Sequence, residues 1–214
     1  MATLRNAGSG AIVSEIAAVI VENRAYLSEI DGRIGDGDHG VNMAKGFSRA
    51  AERLAGRETS LAEALDALGQ VLMSEIGGSM GPLYGMMFIE TAEAIEDAET
   101  IDVAKFASML RAGLAGVESV GAAKVGDKTM LDALVPAVET AEAAAAEGKD
   151  FPEALAATKQ AAIDGRERTR DLVAKIGRAS RLGERSKGVL DAGATSCSLI
   201  VGALADGIAA RLDR

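Results

Sequence analysis

Hydrophobic residues recur at helical spacing through most of the chain. The same spacing predicts eight helices, over 11–27, 41–54, 61–76, 83–95, 103–120, 131–147, 151–176 and 194–212. In the first of these, the apolar residues lie three or four positions apart and so share one face: Ile12, Ile16, Val19, Ile20 and Leu27.

Several helix starts carry capping signals. Ser60 is followed three residues later by Glu63, and Asp150 by Glu153, which are capping-box patterns, while Asp102 can cap the fifth helix. Links such as 54–61 and 147–151 are short, as expected where consecutive helices pack antiparallel. The pattern therefore predicts an up-and-down bundle or barrel, with no internal repeat.

The breaks before the second, fourth, sixth and eighth helices hold nearly all the unusual residues. They cover 31–42, 77–85, 121–130 and 177–193 and are rich in glycine, aspartate or arginine. Alternate loops of an up-and-down arrangement lie at the same end. We therefore expect these four segments to meet at one rim.

The amino-acid composition limits the possible fold classes, metal sites and partners. The chain has 214 residues, which suits a single domain over 1–214, and aromatic residues make up only 3%, which favours helices over strands. One cysteine, Cys197, and one histidine, His39, exclude an internal disulfide and a Cys/His zinc site. A net charge of -9 argues against a nucleic-acid partner.

The chain shows no membrane-spanning or export signal. The first ten residues contain no apolar segment of a signal peptide, and no run approaches the roughly 20 apolar residues that span a bilayer. We expect a soluble cytoplasmic protein with no membrane partner.

Three carboxylates, Asp31, Asp36 and Asp38, lie within eight positions and are separated by glycines. An EF-hand would end its twelve-residue loop with Glu, whereas twelve residues from Asp36 end at Phe47, so the calcium-loop hypothesis fails. A partial oxygen cage instead suits Mg²⁺ with positions left for phosphate oxygens. The alternative is a polar turn that caps the next helix.

Two further segments are suited to an anion. His39 and Asn42 open the second helix, where free N–H groups attract phosphate, although a lone loop histidine is more often solvated or a cap. The segment 77–85 has the glycine density of a phosphate-binding loop, or else makes a tight turn between helices.

The last two breaks are basic or resemble a P-loop. The segment 121–129 has an extra Asp127 and follows a helix, so it is not a Walker A motif, yet Lys128 and Thr129 can still contact phosphate or sugar. Arg178 begins a basic segment suited to phosphate, though charged loops are usually only solvated. Asp191 opens the last helix as a cap or a nucleotide contact. The methionines are interpreted as core or pocket lining.

Four motifs carry a resemblance over essentially the whole chain. IGDGDHG, GGSMGPLYG, GDKTM and GRASRLGERS followed by DAGATS resemble, in order and spacing, the L subunit of dihydroxyacetone kinases or its equivalent C-terminal domain. The resemblance implies an all-α fold, an eight-helix antiparallel barrel with nucleotide and metal on the loops at one end. Met80 stands where the family usually has serine, and Ala192 where it has proline.

The resemblance also implies the site residues. It implies that Asp31, Asp36 and Asp38 hold two Mg²⁺ ions and that these residues, with Arg178, are catalytic. It further implies nucleotide contacts from His39, Gly40, Val41, Asn42, Ser79, Met80, Gly121, Met130, Arg178, Asp191, Ala192 and Gly193.

By resemblance the chain is the ADP- or ATP-binding subunit of a kinase that phosphorylates the terminal hydroxyl of dihydroxyacetone. The implied partners are a separate K subunit, which holds the ketose through a histidine, and in some members a phosphohistidine subunit of the phosphotransferase system. The alternatives are an ATP-dependent kinase subunit for erythrulose or another four-carbon ketose, and a non-catalytic regulator that reports nucleotide state.

Overall fold

Alpha-helices make up most of the fold in the computed structural model, which describes residues 2–213. Within these residues the α-helices are α1 (Ala11–Glu22), α2 (Arg24–Ile34), α3 (His39–Leu54), α4 (Leu61–Glu75), α5 (Met80–Glu93), α6 (Val103–Val120), α7 (Leu131–Ala146), α8 (Phe151–Arg168) and α9 (Ala192–Ala209). Two short 3₁₀ segments, Thr169–Asp171 and Arg178–Ser186, lie between α8 and α9. The strands β1 (Leu4–Arg5) and β2 (Thr100–Ile101) form one small antiparallel pair.

The helices close into a ring. Helix α1 packs on α3, each helix from α3 to α9 packs on the next, and α9 packs back on α1. Helix α2 lies beside this ring, against α3 and α9. The predicted all-α barrel of eight antiparallel helices is therefore confirmed, with α2 as an additional helix.

Aliphatic and alanine side chains fill most of the interior, and two aromatic pairs add to it. Phe47 meets Phe88 edge-on with ring centres 5.9 Å apart, and Phe106 meets Phe151 at 5.6 Å. Aromatic pairs of this geometry stabilise a core beyond the area they bury. The pairs join α3 to α5 and α6 to α8, so the core connects helices that are not adjacent in the ring.

The first predicted helix is interrupted at Asn23. The Asn23 amide donates a hydrogen bond of 2.8 Å to the Val19 carbonyl, and its backbone ends α1 and starts α2. Asn competes with helical backbone bonds in this way, which explains the kink. The helix then continues to Ile34, so Asp31 lies in the last turn of α2 and not in a loop as predicted.

Helix α8, which corresponds to the predicted helix over 151–176, also departs from prediction. It ends at Arg168 and not near Ile176. The capping box predicted at Asp150 is not formed, because the Asp150 side chain makes no cap hydrogen bond and Glu153 pairs with Lys149. The box at Ser60 and Glu63 is confirmed, with bonds of 3.1 and 2.7 Å, and so is the Asp102 cap.

Helix α9 is long and apolar enough to cross a membrane by length and composition. In the fold, however, 72% of its 18 residues are buried against other helices. A core helix passes the same test of length and composition. Helix α9 is therefore accounted for as a buried helix of the barrel, packed against α1, α7 and α8.

Candidate functional site

A cavity of about 850 Å³ opens at one end of the barrel. Its lining comes from all four unusual segments, namely the ends of α2 and α3, the glycine-rich loop before α5, the loop between α6 and α7, and the long connection from α8 to α9. The predicted meeting of these segments at one rim is confirmed. A volume of this size suits a small-molecule ligand.

Three carboxylates lie together at this cavity. Asp31 is in the last turn of α2, Asp36 is in the following turn, and Asp38 precedes α3. One oxygen from each lies within 4.8 Å of the other two. Around an octahedral Mg²⁺ with bonds of about 2.1 Å, ligand oxygens are roughly 3 to 4.2 Å apart. The donor set and spacing fit a shared Mg²⁺ after small side-chain movements.

Arg178 extends from the connection between α8 and α9 to the carboxylates. It follows Gly177, whose φ of 72° lies in the left-handed region that favours glycine. The guanidinium forms an ion pair with Asp36 and lies 3.5 Å from an oxygen of Asp38. The basic segment is therefore not merely solvated, because its first arginine neutralises part of the acidic cluster.

His39 is buried and neutral at pH 7. Only 8% of the residue is exposed, and burial lowers the pKa of its ring to about 4, although the Asp31 charge acts in the opposite direction. Its Nε2 lies 2.8 Å from the Ser196 hydroxyl, which lies 2.7 Å from the Tyr84 hydroxyl. These contacts fix the imidazole between α3, α5 and α9 at the cavity wall.

Asp191 caps α9 and also lines the cavity. Its carboxylate accepts a hydrogen bond of 2.7 Å from the Ala194 N–H, and its own N–H donates to the Thr169 hydroxyl at 3.0 Å. Burial raises the pKa of this carboxyl to about 7. The two sequence-based alternatives, cap and ligand contact, are thus compatible in one residue.

Lys128 lines the cavity, but its ammonium binds backbone carbonyls of the connection between α8 and α9. Nζ donates to the carbonyls of Thr169 and Val189, both at 2.6 Å, and of Leu172 at 3.1 Å. Only 2% of the residue is exposed. The prediction that Lys128 contacts phosphate or sugar is therefore wrong, because all three of its donors bind backbone oxygens.

The glycine-rich loop leaves open space beside the cavity. A side chain at Gly77 or Gly78 would meet no atom within 4 Å, and Gly78 has a φ of 72° that favours glycine. Ser79 and Met80 follow and line the cavity. The bare backbone here allows close approach of a ligand.

Gly40 and Val41 do not line the cavity. A Cβ at Gly40 would lie 2.1 Å from the Arg24 carbonyl oxygen and 2.7 Å from the Ser28 nitrogen, so this glycine lets α3 pack closely on α2. Val41 is exposed on α3. The structure brings the other predicted site residues to the cavity, namely Asp31, Asp36, Asp38, His39, Asn42, Ser79, Met80, Gly121, Met130, Arg178, Asp191, Ala192 and Gly193.

Part of the lining was not predicted. Leu83, Val117, Val120 and Ile176 form an apolar section of the wall. Val120 and Ile176 are about half exposed, at the ends of segments beside glycines. Apolar residues next to glycine-rich loops were the available signal. Ser196 lies in the DAGATS motif, but nothing in the local sequence indicates its contact with His39.

Comparison with known proteins decides the family. The sequence profile of the DAK2 domain matches residues 33–206, which is most of the chain. The chain belongs to the DAK2 domain family. This agrees with the resemblance to the L subunit of dihydroxyacetone kinases, and the relatives of this DAK2 chain are named kinases.

Two relatives align with this DAK2 chain over most of their own length. The chain is 40% identical over 181 residues to the PEP-dependent dihydroxyacetone kinase ADP-binding subunit DhaL of Escherichia coli, covering 84% of the chain and 86% of that protein. It is 39% identical over 186 residues to the corresponding subunit of kinase 1 of Listeria innocua, covering 86% and 88%.

Longer proteins match over one part only. The D-erythrulose kinase of Mycolicibacterium smegmatis is 36% identical over 194 residues, which cover 89% of this chain and 33% of that protein. The dihydroxyacetone kinase of C. freundii in complex with AMP-PNP and Mg²⁺ superimposes with a TM-score of 0.68 at 28% identity, covering 92% of this chain and 33% of that one.

Proposed function

We propose that the chain is the nucleotide-binding subunit of a dihydroxyacetone-type kinase and binds ADP or ATP with Mg²⁺ in the barrel-end cavity. The observation that carries the proposal is the group of three carboxylates at a cavity built from four loops. Two relatives that match over most of their length are named ADP-binding subunits, which supports the choice of ligand.

Asp31, Asp36 and Asp38 would hold the metal, and we propose two Mg²⁺ ions. Mg²⁺ neutralises phosphate charge and orients the transferred phosphoryl group. Three carboxylates carry enough negative charge to bind divalent cations that also contact phosphate. Arg178 already lies among these carboxylates, so its guanidinium is placed to contact phosphate oxygens and stabilise charge there.

The remaining lining divides the cavity into polar and apolar sections. The backbone at Gly77 to Met80 is open to phosphate, and the neutral ring of His39 provides a fixed polar wall without adding charge. Leu83, Val117 and Ile176 offer an apolar surface suited to a nucleobase. The site thus accommodates both ends of a nucleotide.

Transfer to sugar would need a partner. We propose a separate K subunit that holds dihydroxyacetone, with a phosphohistidine protein of the phosphotransferase system recharging bound ADP. The two relatives named PEP-dependent support this choice of donor. Alone, the chain is expected not to phosphorylate sugar, and we propose that it acts in the cytoplasm.

Relatives named erythrulose kinases support a second candidate, a kinase subunit for a four-carbon ketose that uses free ATP. Purification without added nucleotide, followed by denaturation and identification of any released nucleotide, distinguishes a phosphohistidine donor from free ATP. Retained ADP that does not exchange with ATP and Mg²⁺ supports recharging by a phosphohistidine protein, whereas a site that takes up free ATP supports the second candidate.

Asp36→Asn tests the metal site. Asp97→Asn is its control, because Asp97 is exposed and follows the end of α5 that lies away from the cavity. ADP binding would be titrated by calorimetry in Mg²⁺ and in EDTA. We expect Mg²⁺ to strengthen binding by the wild type and by Asp97→Asn but not by Asp36→Asn. An equal Mg²⁺ effect in all three would refute the assigned ligands.

A further inference from the structure

The Lys128 ammonium lies inside the protein with all its donors satisfied. It donates to the carbonyls of Thr169, Leu172 and Val189 at 2.6, 3.1 and 2.6 Å. An ammonium has three N–H groups, so none remains for a ligand. No neutral side chain of similar length could bind all three carbonyls, which explains a lysine here.

These carbonyls lie at the two stems of one loop. Leu172 comes directly before the segment 173–188, Thr169 lies three residues before Leu172, and Val189 comes directly after the segment. This segment carries Arg178. The ammonium therefore joins the start and the end of the loop that delivers the arginine to the carboxylates, as a cross-link through hydrogen bonds.

Other hydrogen bonds also join the two stems, and the ammonium adds bonds to both of them. The Asp191 N–H donates to the Thr169 hydroxyl at 3.0 Å. The Gly188 N–H donates to the Arg170 carbonyl at 2.7 Å, and the Ala174 N–H donates to the Ser186 hydroxyl at 2.9 Å. Beyond them, loop residues from 177 to 185 are mostly half-buried or exposed. The position of the loop thus depends on its base.

The backbone at Lys128 is held in an unusual conformation. Its φ of 63° is the sole positive value at a non-glycine position among residues 2–213. Asp132 supports the turn by accepting hydrogen bonds from the Gly126 N–H at 2.6 Å and the Thr129 N–H at 2.8 Å. Long side chains rarely adopt this region, so surrounding contacts must fix it, and here it directs the side chain inward.

We propose that Lys128 is a positioning residue that clamps the two stems of the 173–188 loop and thereby holds Arg178 at the nucleotide phosphates. The proposal rests on the proposed function where it concerns nucleotide, but the clamp itself can be measured without any ligand. Lys128 acts through Arg178 and touches neither metal nor substrate.

A double-mutant cycle tests the coupling. Lys128→Met keeps the length of the side chain and removes its donors, Arg178→Gln removes the guanidinium, and Lys175→Met is the control because Lys175 is an exposed lysine of the same loop that pairs with Asp127. We expect either Lys128→Met or Arg178→Gln to weaken binding of ADP with Mg²⁺ by at least fivefold, and the double variant to bind no more weakly than Arg178→Gln. Lys175→Met should bind within twofold of the wild type.

The proposal would be overturned if the losses of affinity in the two single variants multiply in the double variant. Independent losses would mean that Lys128 does not act through Arg178. Wild-type affinity in Lys128→Met would overturn it too. If Arg178→Gln itself binds normally, the proposed contact of Arg178 with phosphate fails, and the clamp is then judged from the loop alone.

Limited trypsin digestion without ligand measures the loop. Lys175, Arg178, Arg181, Arg185 and Lys187 provide cleavage sites within it. Because Lys175→Met removes the first of these sites, cleavage is compared at the other four. Well below the melting temperature, we expect Lys128→Met to be cut in the loop at least tenfold faster than wild type or Lys175→Met, with no faster cutting elsewhere. Equal loop cleavage rates would contradict the clamp.

Should Lys128→Met fail to fold, Lys128→Gln replaces it in both experiments, because its amide keeps two N–H donors on a shorter side chain. Hydrogen exchange on the wild type adds a measurement that needs no variant. The Ala174 and Gly188 amides at the base should exchange at least tenfold more slowly than loop amides beyond them. Equal exchange along the whole loop would overturn the proposal.

Discussion

The guanidinium of Arg178 forms an ion pair with the carboxylate of Asp36, although the two residues lie near opposite ends of the chain. The same guanidinium lies 3.5 Å from Asp38. The guanidinium of Arg178 thus contacts two of the carboxylates that are assigned to the metal. If the proposed metal site is right, we expect Mg²⁺ and Arg178 to compete for these oxygens until phosphate provides the arginine with another anion.

Arg178→Gln should therefore change metal and nucleotide binding in opposite directions. Without nucleotide, removal of the competing cation should tighten Mn²⁺ binding about two- to fivefold, the range expected for an exposed ion pair. ADP with Mg²⁺ should bind roughly tenfold or more weakly, because a charged hydrogen bond to phosphate is lost. Mn²⁺ titration followed by electron paramagnetic resonance and ADP calorimetry measure the two, with Arg181→Gln as control. Weaker metal binding in the variant would contradict the competition.

Gly40→Ala should destabilise the fold, whereas Gly77→Ala should not. The new methyl group at Gly40 would overlap the Arg24 carbonyl, but at Gly77 it meets no protein atom within 4 Å. We expect a loss of about 1–3 kcal/mol or more in unfolding free energy for Gly40→Ala and less than about 0.5 kcal/mol for Gly77→Ala. Urea unfolding without ligand gives both values. Equal stability of the two variants would contradict the packing role of Gly40.

Asp191 should make a contribution to the unfolding free energy that decreases as the pH rises. Its folded pKa of about 7 lies above the unfolded value of 3.8, so between these values the folded state holds a proton that the unfolded state has released. This contribution is fully present below about pH 4 and is lost as the pH rises to about 7, at a slope of at most about 1.4 kcal/mol per pH unit.

Asp191→Asn removes that titration and keeps an oxygen that can cap α9. Urea unfolding of both proteins from pH 4 to 7, without metal, should show the variant gaining stability relative to the wild type as the pH rises. A constant difference across this range would show that burial does not shift Asp191 as inferred.

Ser196→Ala should destabilise the protein by about 1–3 kcal/mol. The hydroxyl is the shared partner of the buried His39 ring and the buried Tyr84 hydroxyl. Its loss leaves the His39 ring nitrogen unpaired, whereas the Tyr84 hydroxyl keeps the Gly193 carbonyl as a partner. Ser198→Ala is a matched control on the same helix, because that hydroxyl donates only to the Thr195 carbonyl of its own helix. Thermal melts should separate the two variants, and equal melting temperatures would argue against the network.

The order of helices and the clustering of four loops follow from the sequence because both depend on local signals. Apolar spacing locates helices, and glycine-rich breaks locate loops. The end of α8 does not follow in this way. The carbonyls of Thr169 and Leu172 bind Lys128, which is about forty residues away in the chain, and no pattern within 151–176 shows it.

The site was predictable where its residues belong to one segment. Asp31, Asp36 and Asp38 are close in sequence, so their grouping could be read directly, although the kink at Asn23 that places Asp31 on a helix could not. The contact of Ser196 with His39 joins α9 to α3 through tertiary packing alone.

The proposed function requires that the three carboxylates hold a metal ion against a nucleotide phosphate. Mn²⁺ in place of Mg²⁺ allows electron–nuclear double resonance to detect phosphorus near the metal. With ADP bound, we expect a ³¹P coupling in the wild type and in Asp97→Asn, and none in Asp36→Asn. Bound Mn²⁺ with no ³¹P coupling in the wild type, or with the same coupling in Asp36→Asn, would contradict the proposed metal and nucleotide site.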